Sequence, residues 1–284
     1  MKTWLIVVGI LVILAVVITI RVRYELKTLQ RTDYILYTDK LPEGKHIRLA
    51  VISDLHNRNY GENNCHLIEM VKKVKPDFIL AAGDLITASN RKEMEPVMDL
   101  LLKFGQVAPV YYSPGNHEKR IAKEQTRFPG LEEKFRKGLE QTNVVYLENK
   151  TVALDETMVL AGLDIDYKFY DKLRQPSYEL SDFPKNLQEL DQKKYNILMA
   201  HSPKFFSIYS ETGYDLVLSG HYHGGAVRIP GIGGVISPQF KPFPKYSKGK
   251  YVLEKTTMLV SSGCGSHKVN LRLFNRDKWI LHLN

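Results

Sequence analysis

The sequence predicts an α/β fold preceded by an apolar helix. Between residues 47 and 118, a short apolar run, a polar tip and a helical stretch follow one another three times. This alternation is typical of βαβ units that contribute their strands to one sheet. Ahead of these units, the chain carries no charged residue from Trp4 to Ile20.

This N-terminal segment is interpreted as an uncleaved membrane anchor, residues 1–23. It is slightly shorter than the roughly 20 apolar residues that usually cross a bilayer, but longer than the apolar part of most secretory signals. No small-residue cleavage site follows it, although a removed signal stays the alternative. Four basic residues come after it: Arg21, Arg23, Lys27 and Arg31. We therefore expect a single-pass cell-membrane protein that contacts the membrane through residues 4–20. The excess of basic residues after the anchor places the domain in the cytoplasm, with export as the alternative.

Composition limits the classes of fold and partner. A chain of 284 residues with 44% hydrophobic content can bury a sizeable core without disulfides. The two cysteines, Cys65 and Cys264, have neither metal-binding nor disulfide-framework spacing. The formal net charge of +9 favours anionic partners. The net charge alone does not distinguish among phosphate esters, nucleic acid and acidic lipid surfaces as partners.

The elements are expected in the following order. Residues 24–45 form an irregular linker, and residues 46–284 form the folded domain. Strands are predicted at 47–52, 78–82, 107–113, 144–147, 151–154, 158–163, 195–200, 215–219, 251–253, 258–261, 271–274 and 279–283. Helices are predicted at about 64–73, 92–104 and 131–141, and a mobile loop with a short helix at 167–194.

Polar residues stand at the carboxyl ends of the predicted strands. They are Asp54, His56, Asp84, Asn116, His117, His201, His221 and His223. His221 and His223 follow an apolar run inside a glycine-rich stretch, and residues two apart on a strand project to the same face. Because working residues of such sheets gather at the carboxyl ends of the strands, we expect these side chains to form one site.

The chemistry of this set suits metal ions. Oxygen and imidazole ligands without thiolates favour Mn, Fe, Zn or a similar divalent ion, and a carboxylate such as Asp84 can bridge two of them. Two metal ions about 3.5 to 4 Å apart can lower the pKa of a shared water and clamp the oxygens of a phosphoryl displacement. Hydrolysis of a phosphate ester would fit the positive charge of the chain.

These residues also carry a family resemblance. The series Asp54-Leu-His56, Gly83-Asp84, Gly115-Asn116-His117-Glu118, His201 and Gly220-His221-Tyr-His223 resembles the ordered motifs of calcineurin-like metallophosphoesterases. The resemblance covers about residues 47–284, which would make 46–284 a catalytic domain. Its bacterial membrane-associated branch is the most similar, because a Gly-Gly, Pro-Gly-Ile-Gly and Ser-Pro run follows the histidines as far as Pro238.

The resemblance implies a role for each residue. Asp54, His56 and His223 would bind the first metal ion. Asp84 would bridge, while Asn116, His201 and His221 would bind the second. His117 would stabilise the transition state or protonate the leaving oxygen, oriented by Asp84 or Glu118. The implied fold is a four-layer αββα sandwich of two mixed β-sheets flanked by helices, with the N-terminal transmembrane helix attached.

Some positions depart from the family pattern. Tyr222, Ala226 and Thr87 stand where other residues are more usual, so we expect altered substrate contacts. No arginine follows Gly83-Asp84 closely, which disfavours a phosphoprotein phosphatase and favours a phosphodiester or pyrophosphate substrate. Asp164 and Arg272 are both expected on solvated surface loops.

We therefore expect a dinuclear metal-dependent phosphohydrolase with two divalent ions as cofactors. It would use a metal-bridging hydroxide to hydrolyse a phosphodiester, phosphomonoester or pyrophosphate bond, in a membrane-associated or lipid-linked substrate. The alternatives are a nuclease or cyclic-nucleotide phosphodiesterase and, less favoured, a non-catalytic metal-bound interaction module. Nucleic acid is not an expected partner, since basic and aromatic residues do not interleave along a groove signature. The sequence predicts no oligomeric state.

Overall fold

The computed structural model describes residues 2–91, 93–171, 176–225, 227–237, 242–265, 271–275 and 278–284. Its helices are α1 Lys2–Lys27, α2 Cys65–Val74, α3 Glu95–Gly105, α4 Asn116–Lys123, α5 Leu131–Glu140 and α6 Phe206–Glu211. Its strands are β1 Arg31–Leu36, β2 Ile47–Ile52, β3 Phe78–Ala82, β4 Val110–Ser113, β5 Val144–Tyr146, β6 Lys150–Ala153, β7 Met158–Leu163, β8 Tyr195–Ala200, β9 Leu216–Ser219, β10 Arg228–Ile229, β11 Gly233–Gly234, β12 Gly249–Leu253, β13 Thr256–Val260 and β14 Lys278–Leu283.

Two six-stranded sheets form the centre of the described part of the chain. The first has the order β1-β14-β2-β3-β4-β5, and only the β14–β2 pair is antiparallel. The second has the order β12-β13-β9-β8-β7-β6, with antiparallel pairs at both edges and parallel strands between them. Both sheets are therefore mixed, and the parallel strands at their centres align their carboxyl ends.

Alternate side chains of β2 belong to the two hydrophobic clusters that lie on opposite faces of the first sheet. Leu49 and Val51 belong to a hydrophobic cluster shared with the second sheet, whereas Ala50 and Ile52 belong to a cluster shared with α2, α3 and α5. Successive side chains of a strand point to opposite faces, so one strand serves both cores. The prediction of an α/β fold with two mixed sheets flanked by helices is confirmed.

Three local predictions are wrong. The range 24–45 is not an irregular linker throughout, because it contains the end of α1 and the strand β1, which pairs with β14. The range 271–274 contributes only an isolated bridge between Leu273 and Val227. The range 167–194, predicted as a mobile loop with a short helix, does contain short 3-10 helices, but Phe169 and Leu187 are buried in the core, so the mobile-loop part is wrong.

The N-terminal helix α1 projects its apolar side chains away from the protein. Its segment Thr3–Lys27 is long and apolar enough to cross a membrane, and none of its most apolar stretch is buried. A signal sequence near an N-terminus meets the same criterion. The helix is therefore not part of the core. The predictions that rest on Ala226 and Pro238 lie outside the described residues.

Two neighbouring leucines of α3 test this packing. Leu101 is 0% exposed and Leu102 is 42% exposed. We expect Leu101→Ala to lower the free energy of unfolding by about 2–5 kcal/mol, because a buried cavity remains. Leu102→Ala has the same change of helix propensity and should shift it by only about 0.5 kcal/mol. Urea unfolding followed by circular dichroism measures both, and equal losses would contradict the assigned faces.

Candidate metal centre

The predicted site residues meet where the two sheets present their carboxyl ends. Each one follows a strand: β2, β3 and β4 in the first sheet, or β8 and β9 in the second. Seven of them are grouped by their donor atoms and Asn116 precedes His117 at the start of α4; the full set is Asp54, His56, Asp84, Asn116, His117, His201, His221 and His223. Apart from the partly exposed Asn116, all of them are buried.

Their donor atoms form three overlapping groups. One group contains Asp54, His56 and His223, and another contains Asp84, His201 and His221. Within each group the possible ligand atoms lie within 4.8 Å of one another. Two close approaches are 3.1 Å between the Nε2 atoms of His56 and His223, and 3.2 Å between His201 Nε2 and Asp84 Oδ2. His56 and Asp84 also group with His117, so the first two groups are adjacent.

Asn116, the first residue of α4, is the remaining predicted ligand. Its Oδ1 atom is buried and has no hydrogen-bond partner among the described residues. A buried amide oxygen without a partner costs free energy, so such atoms usually have a ligand or a role. This orphaned acceptor is what a metal ligand would look like without its ion.

Backbone strain accompanies these side chains. Asp54, His56, Asp84, His221 and His223 all have positive φ, between 49° and 68°. β9 ends at Ser219, so His221 and His223 lie in a turn and not on one strand face. The argument that strand geometry aligns these two histidines is therefore wrong. Left-handed conformations of non-glycine residues cluster at functional sites, where the surrounding structure compensates for their cost.

A glycine lets the two sheets approach at this point. Gly83 has a φ of +85°, and a Cβ there would lie 2.5 Å from His201 Nδ1 and 2.8 Å from the Cα of Gly115. A larger residue would therefore force His201 or the backbone of Gly115 to shift. His201 Nδ1 makes a 2.8 Å hydrogen bond to the carbonyl of Ala82. This bond leaves Nε2 directed at the carboxylates, in the arrangement common for metal-binding histidines.

The electrostatics of the cluster fit a pair of divalent cations. Burial raises the pKa of Asp54 and of Asp84, because neither carboxylate has water to stabilise its charge. Burial lowers the pKa of His201, but Asp84 and Asp54 outweigh it and raise this pKa to about 10. The cluster thus draws positive charge toward two buried carboxylates. Bound cations would provide that charge and would leave the imidazoles neutral as ligands.

Comparison with known proteins identifies the family. The family model described as calcineurin-like phosphoesterase matches residues 47–225. This range contains every predicted metal ligand and more than half of the chain. The chain belongs to the calcineurin-like phosphoesterases. The match confirms the resemblance carried by the motifs, and the family indicates a metal-dependent hydrolase.

Relatives support the assignment to this phosphoesterase family. A protein of Campylobacter jejuni, named Uncharacterized metallophosphoesterase, is 31% identical over 237 residues, which cover 81% of this chain and 57% of that protein. This chain thus spans little more than half of that relative. An Uncharacterized metallophosphoesterase of Aquifex aeolicus is 29% identical over 85% of this chain and 86% of its own length. Phosphodiesterase YaeI of Escherichia coli is 22% identical over 72% of this chain and 65% of its own.

A backbone amide contacts the ring of His117 in this phosphoesterase. The N–H of Ala88 donates to His117 Nδ1 at 2.8 Å. Asp84 is one of the two carboxylates expected to orient this histidine. Its Oδ1 atom accepts a hydrogen bond from the backbone N–H of His117 at 2.8 Å. Since Nδ1 is an acceptor, the proton of the neutral ring lies on Nε2. The amide of Ala88 therefore sets the tautomer of His117.

Glu118 supports the loop that carries Asp84. Its carboxylate accepts hydrogen bonds from the backbone N–H groups of Asp84, Ile86 and Gly115 at 2.8–3.2 Å and from the hydroxyl of Tyr112 at 2.5 Å. Burial and the neighbouring charge of Asp84 raise the pKa of Glu118 to about 7. The glutamate of the Gly-Asn-His-Glu motif thus holds the backbone of two strand ends in place.

Arg272 has a structural role beside the site that the sequence did not reveal. It is buried, and its guanidinium donates to the carbonyls of Ser262, Gly263, Gly265 and Asn275 at 2.5–3.1 Å. The expectation of a surface loop is wrong. The loop that it organises is bonded in turn to the segment of Asp54, because Gly265 donates to the Asp54 carbonyl at 2.5 Å. Only its position after a glycine-rich turn hinted at this role.

Two other expectations are corrected by burial. Tyr222 is buried with its ring centroid 5.4 Å from that of His221, so it packs on a candidate ligand and is poorly placed to select a substrate. Asp164 is not fully solvated, because its side chain is only 6% exposed and pairs with Lys119. Tyr222 therefore packs against the candidate metal centre through its contact with His221.

Gly83 provides a test of the geometry. We expect Gly83→Ala to weaken divalent-metal binding at the group of Asp84 and His201, since the new methyl displaces the imidazole. Gly44→Ala is the control, because Gly44 has a similar φ of +77° but a Cβ added there would meet no atom within 4 Å. Both variants carry the cost of a left-handed backbone. Titration of the metal-free proteins with Mn²⁺ compares them, and equal affinities would argue against the close approach.

Proposed function

We propose that this chain is a dinuclear metal-dependent phosphohydrolase that cleaves a phosphodiester or pyrophosphate bond in a membrane-associated, lipid-linked substrate. The observation that carries the proposal is the pair of adjacent donor groups, each with a buried aspartate and two histidines. Adjacent groups of this kind fit two ions that act on one phosphate. Mn, Fe and Zn are the ions that these oxygen and nitrogen donors favour.

Each residue has a defined part in this proposal. Asp54, His56 and His223 hold one ion, and Asn116, His201 and His221 hold the other. Asp84 stands between them, since His56 and His201 approach its Oδ2 at 3.9 and 3.2 Å. When bound, the two ions supply a water of lowered pKa and neutralise charge on the phosphate.

His117 acts on the substrate from the edge of this pair. Its ring centroid lies 4.9 Å from that of His56, in an edge-on arrangement. The hydrogen bond from Ala88 to Nδ1 makes Nε2 the donor atom. We assign to Nε2–H a hydrogen bond to a phosphoryl or leaving-group oxygen, where charge develops in the transition state.

The bond type is supported by sequence and by a relative. The absence of an arginine close after Gly83-Asp84 disfavours a phosphoprotein substrate. One relative carries the name phosphodiesterase. A phosphodiester or pyrophosphate thus fits better than a phosphomonoester.

The position of α1 supports a substrate in the membrane. The carboxylate of Glu25 accepts hydrogen bonds from the backbone N–H groups of Phe274 and Asn275. Glu25 lies only about 7.5 Å along the helix axis beyond Ile20, the last residue of the uncharged segment. Phe274 is 51% exposed, and the guanidinium of Arg21 lies 5.6 Å from its ring centroid. Ile232 is 67% exposed on the turn between β10 and β11. These exposed apolar side chains and the basic side chain of Arg21 suit contact with lipid and its phosphate.

Removal of metal and of His117 tests the reaction. The full-length protein in detergent should hydrolyse an aryl phosphodiester with Mn²⁺, stop in EDTA and recover when Mn²⁺ returns. His117→Ala should lower kcat about 100- to 1,000-fold, because one donor to the transition state is lost, while still binding two metal ions. His66→Ala, at an exposed histidine of α2, is the control. Full activity of His117→Ala or of the EDTA-treated enzyme would overturn the mechanism.

A substrate comparison tests the membrane part of the proposal. Pyrophosphate-linked and phosphodiester lipids in vesicles should be cleaved with a higher kcat/KM than their water-soluble headgroups, because the anchor places both partners at one surface. Cyclic nucleotides, single-stranded DNA and phosphomonoesters form the comparison panel. Equal kcat/KM for soluble and lipid-borne forms would reject the lipid substrate without affecting the metal mechanism.

A further inference from the structure

One residue of α1 differs from the rest of that helix. Glu25 is 2% exposed, whereas the side chains around the helix before it are largely exposed. A carboxylate is seldom buried unless it is paired and hydrogen-bonded. Its partners therefore indicate what the end of the helix contacts.

Among the described residues, three groups donate hydrogen bonds to the carboxylate of Glu25. The backbone N–H of Phe274 donates to Oε1 at 3.1 Å, and that of Asn275 donates to Oε2 at 3.0 Å. Arg21 donates from Nε to Oε1 at 2.6 Å. Hydrogen bonds to an ionised acceptor are stronger than neutral ones. The last turn of α1 is thus fixed to residues 274–275.

Asn275 connects Glu25 to the turn that carries His223. The residue is fully buried, and its Nδ2 atom donates to the backbone carbonyl of His223 at 2.6 Å. At Gly224, which has a φ of +67°, a Cβ would overlap the Asn275 side chain. The connection from the helix to a candidate ligand therefore consists of Glu25, Asn275 and the carbonyl of His223.

We propose that Glu25 is a positioning residue for the metal ligand His223. The last turn of the N-terminal helix would then help to hold this ligand in the metal centre. This inference rests on the proposed role of His223 as a ligand. His223 has a φ of 49°, and a strained conformation persists only where neighbouring contacts enforce it. Without the Glu25 carboxylate, Asn275 loses its backbone support, and the turn at His223 can relax away from Asp54 and His56.

The full-length protein in detergent provides the test, with Mn²⁺ binding as the readout. The metal-free protein and its variants are titrated by calorimetry. Glu25→Gln should lower the affinity of one of the two sites about 10- to 100-fold, as expected when support for a metal ligand is lost, and should leave the second site near the wild-type value. Glu43→Gln, at an exposed glutamate on a loop, is the matched control and should bind as the wild type does.

A second variant separates positioning from folding. Asn275→Ala leaves the Glu25 carboxylate and both backbone donors in place but removes the bond to His223. It should weaken the same site, and combining it with Glu25→Gln should cost less than the sum of the two changes, because both act through one connection. If Glu25→Gln does not fold, Asn275→Ala alone decides the proposal.

Wild-type Mn²⁺ affinity at both sites in Glu25→Gln or in folded Asn275→Ala would overturn the inference. So would equal weakening of both sites, since a general loss of structure would then explain it. The outcome is independent of turnover. A wild-type protein that binds two ions but cleaves no phosphate ester would reject the proposed function and leave the role of Glu25 intact.

Discussion

Two buried aspartates impose the central constraint on this structure. Asp54 follows β2 and Asp84 follows β3, and both carboxylates are buried. Burial of two like charges at one edge of a sheet is unfavourable unless opposite charge and hydrogen bonds compensate. The second sheet provides part of this compensation, since His201 approaches Asp84 and the backbone N–H of His221 donates to Asp54. The two sheets are thus joined at their carboxyl ends by the chemistry of the site.

The supporting residues come from several parts of the chain. Glu118 ties the loops after β3 and β4 together, and Arg272 fixes the loop after β13 against the segment of Asp54. Glu25 joins the N-terminal helix to the turn of His223 through Asn275. Each uses a charged side chain to satisfy backbone groups, and such charge-assisted hydrogen bonds help to maintain the strained conformations of the candidate ligands. The N-terminal helix and the candidate metal centre are consequently joined by hydrogen bonds.

The site residues were predictable because each of them comes shortly after a predicted strand. Asp54, Asp84 and His201 each end an apolar run, and the parallel alignment of such ends is a general property of α/β sheets. The residues that support the site have no such signal in the sequence. Arg272 resembles any surface arginine in sequence, and Glu25 resembles any charged residue after an apolar helix. Their burial depends on contacts far apart along the chain, as between Glu25 and Asn275, which are separated by 250 positions.

The sequence alone determined the α/β class, the apolar helix and the set of candidate ligands, because hydrophobic periodicity and residue chemistry are local properties. Only the tertiary structure decided that β1 belongs to the sheet, that His221 and His223 lie in a left-handed turn, and that a backbone amide orients His117. These features depend on pairing with β14, on the space left by Gly83 and Gly224, and on the loop after Asp84. Long-range packing sets all of them, and no local pattern encodes it.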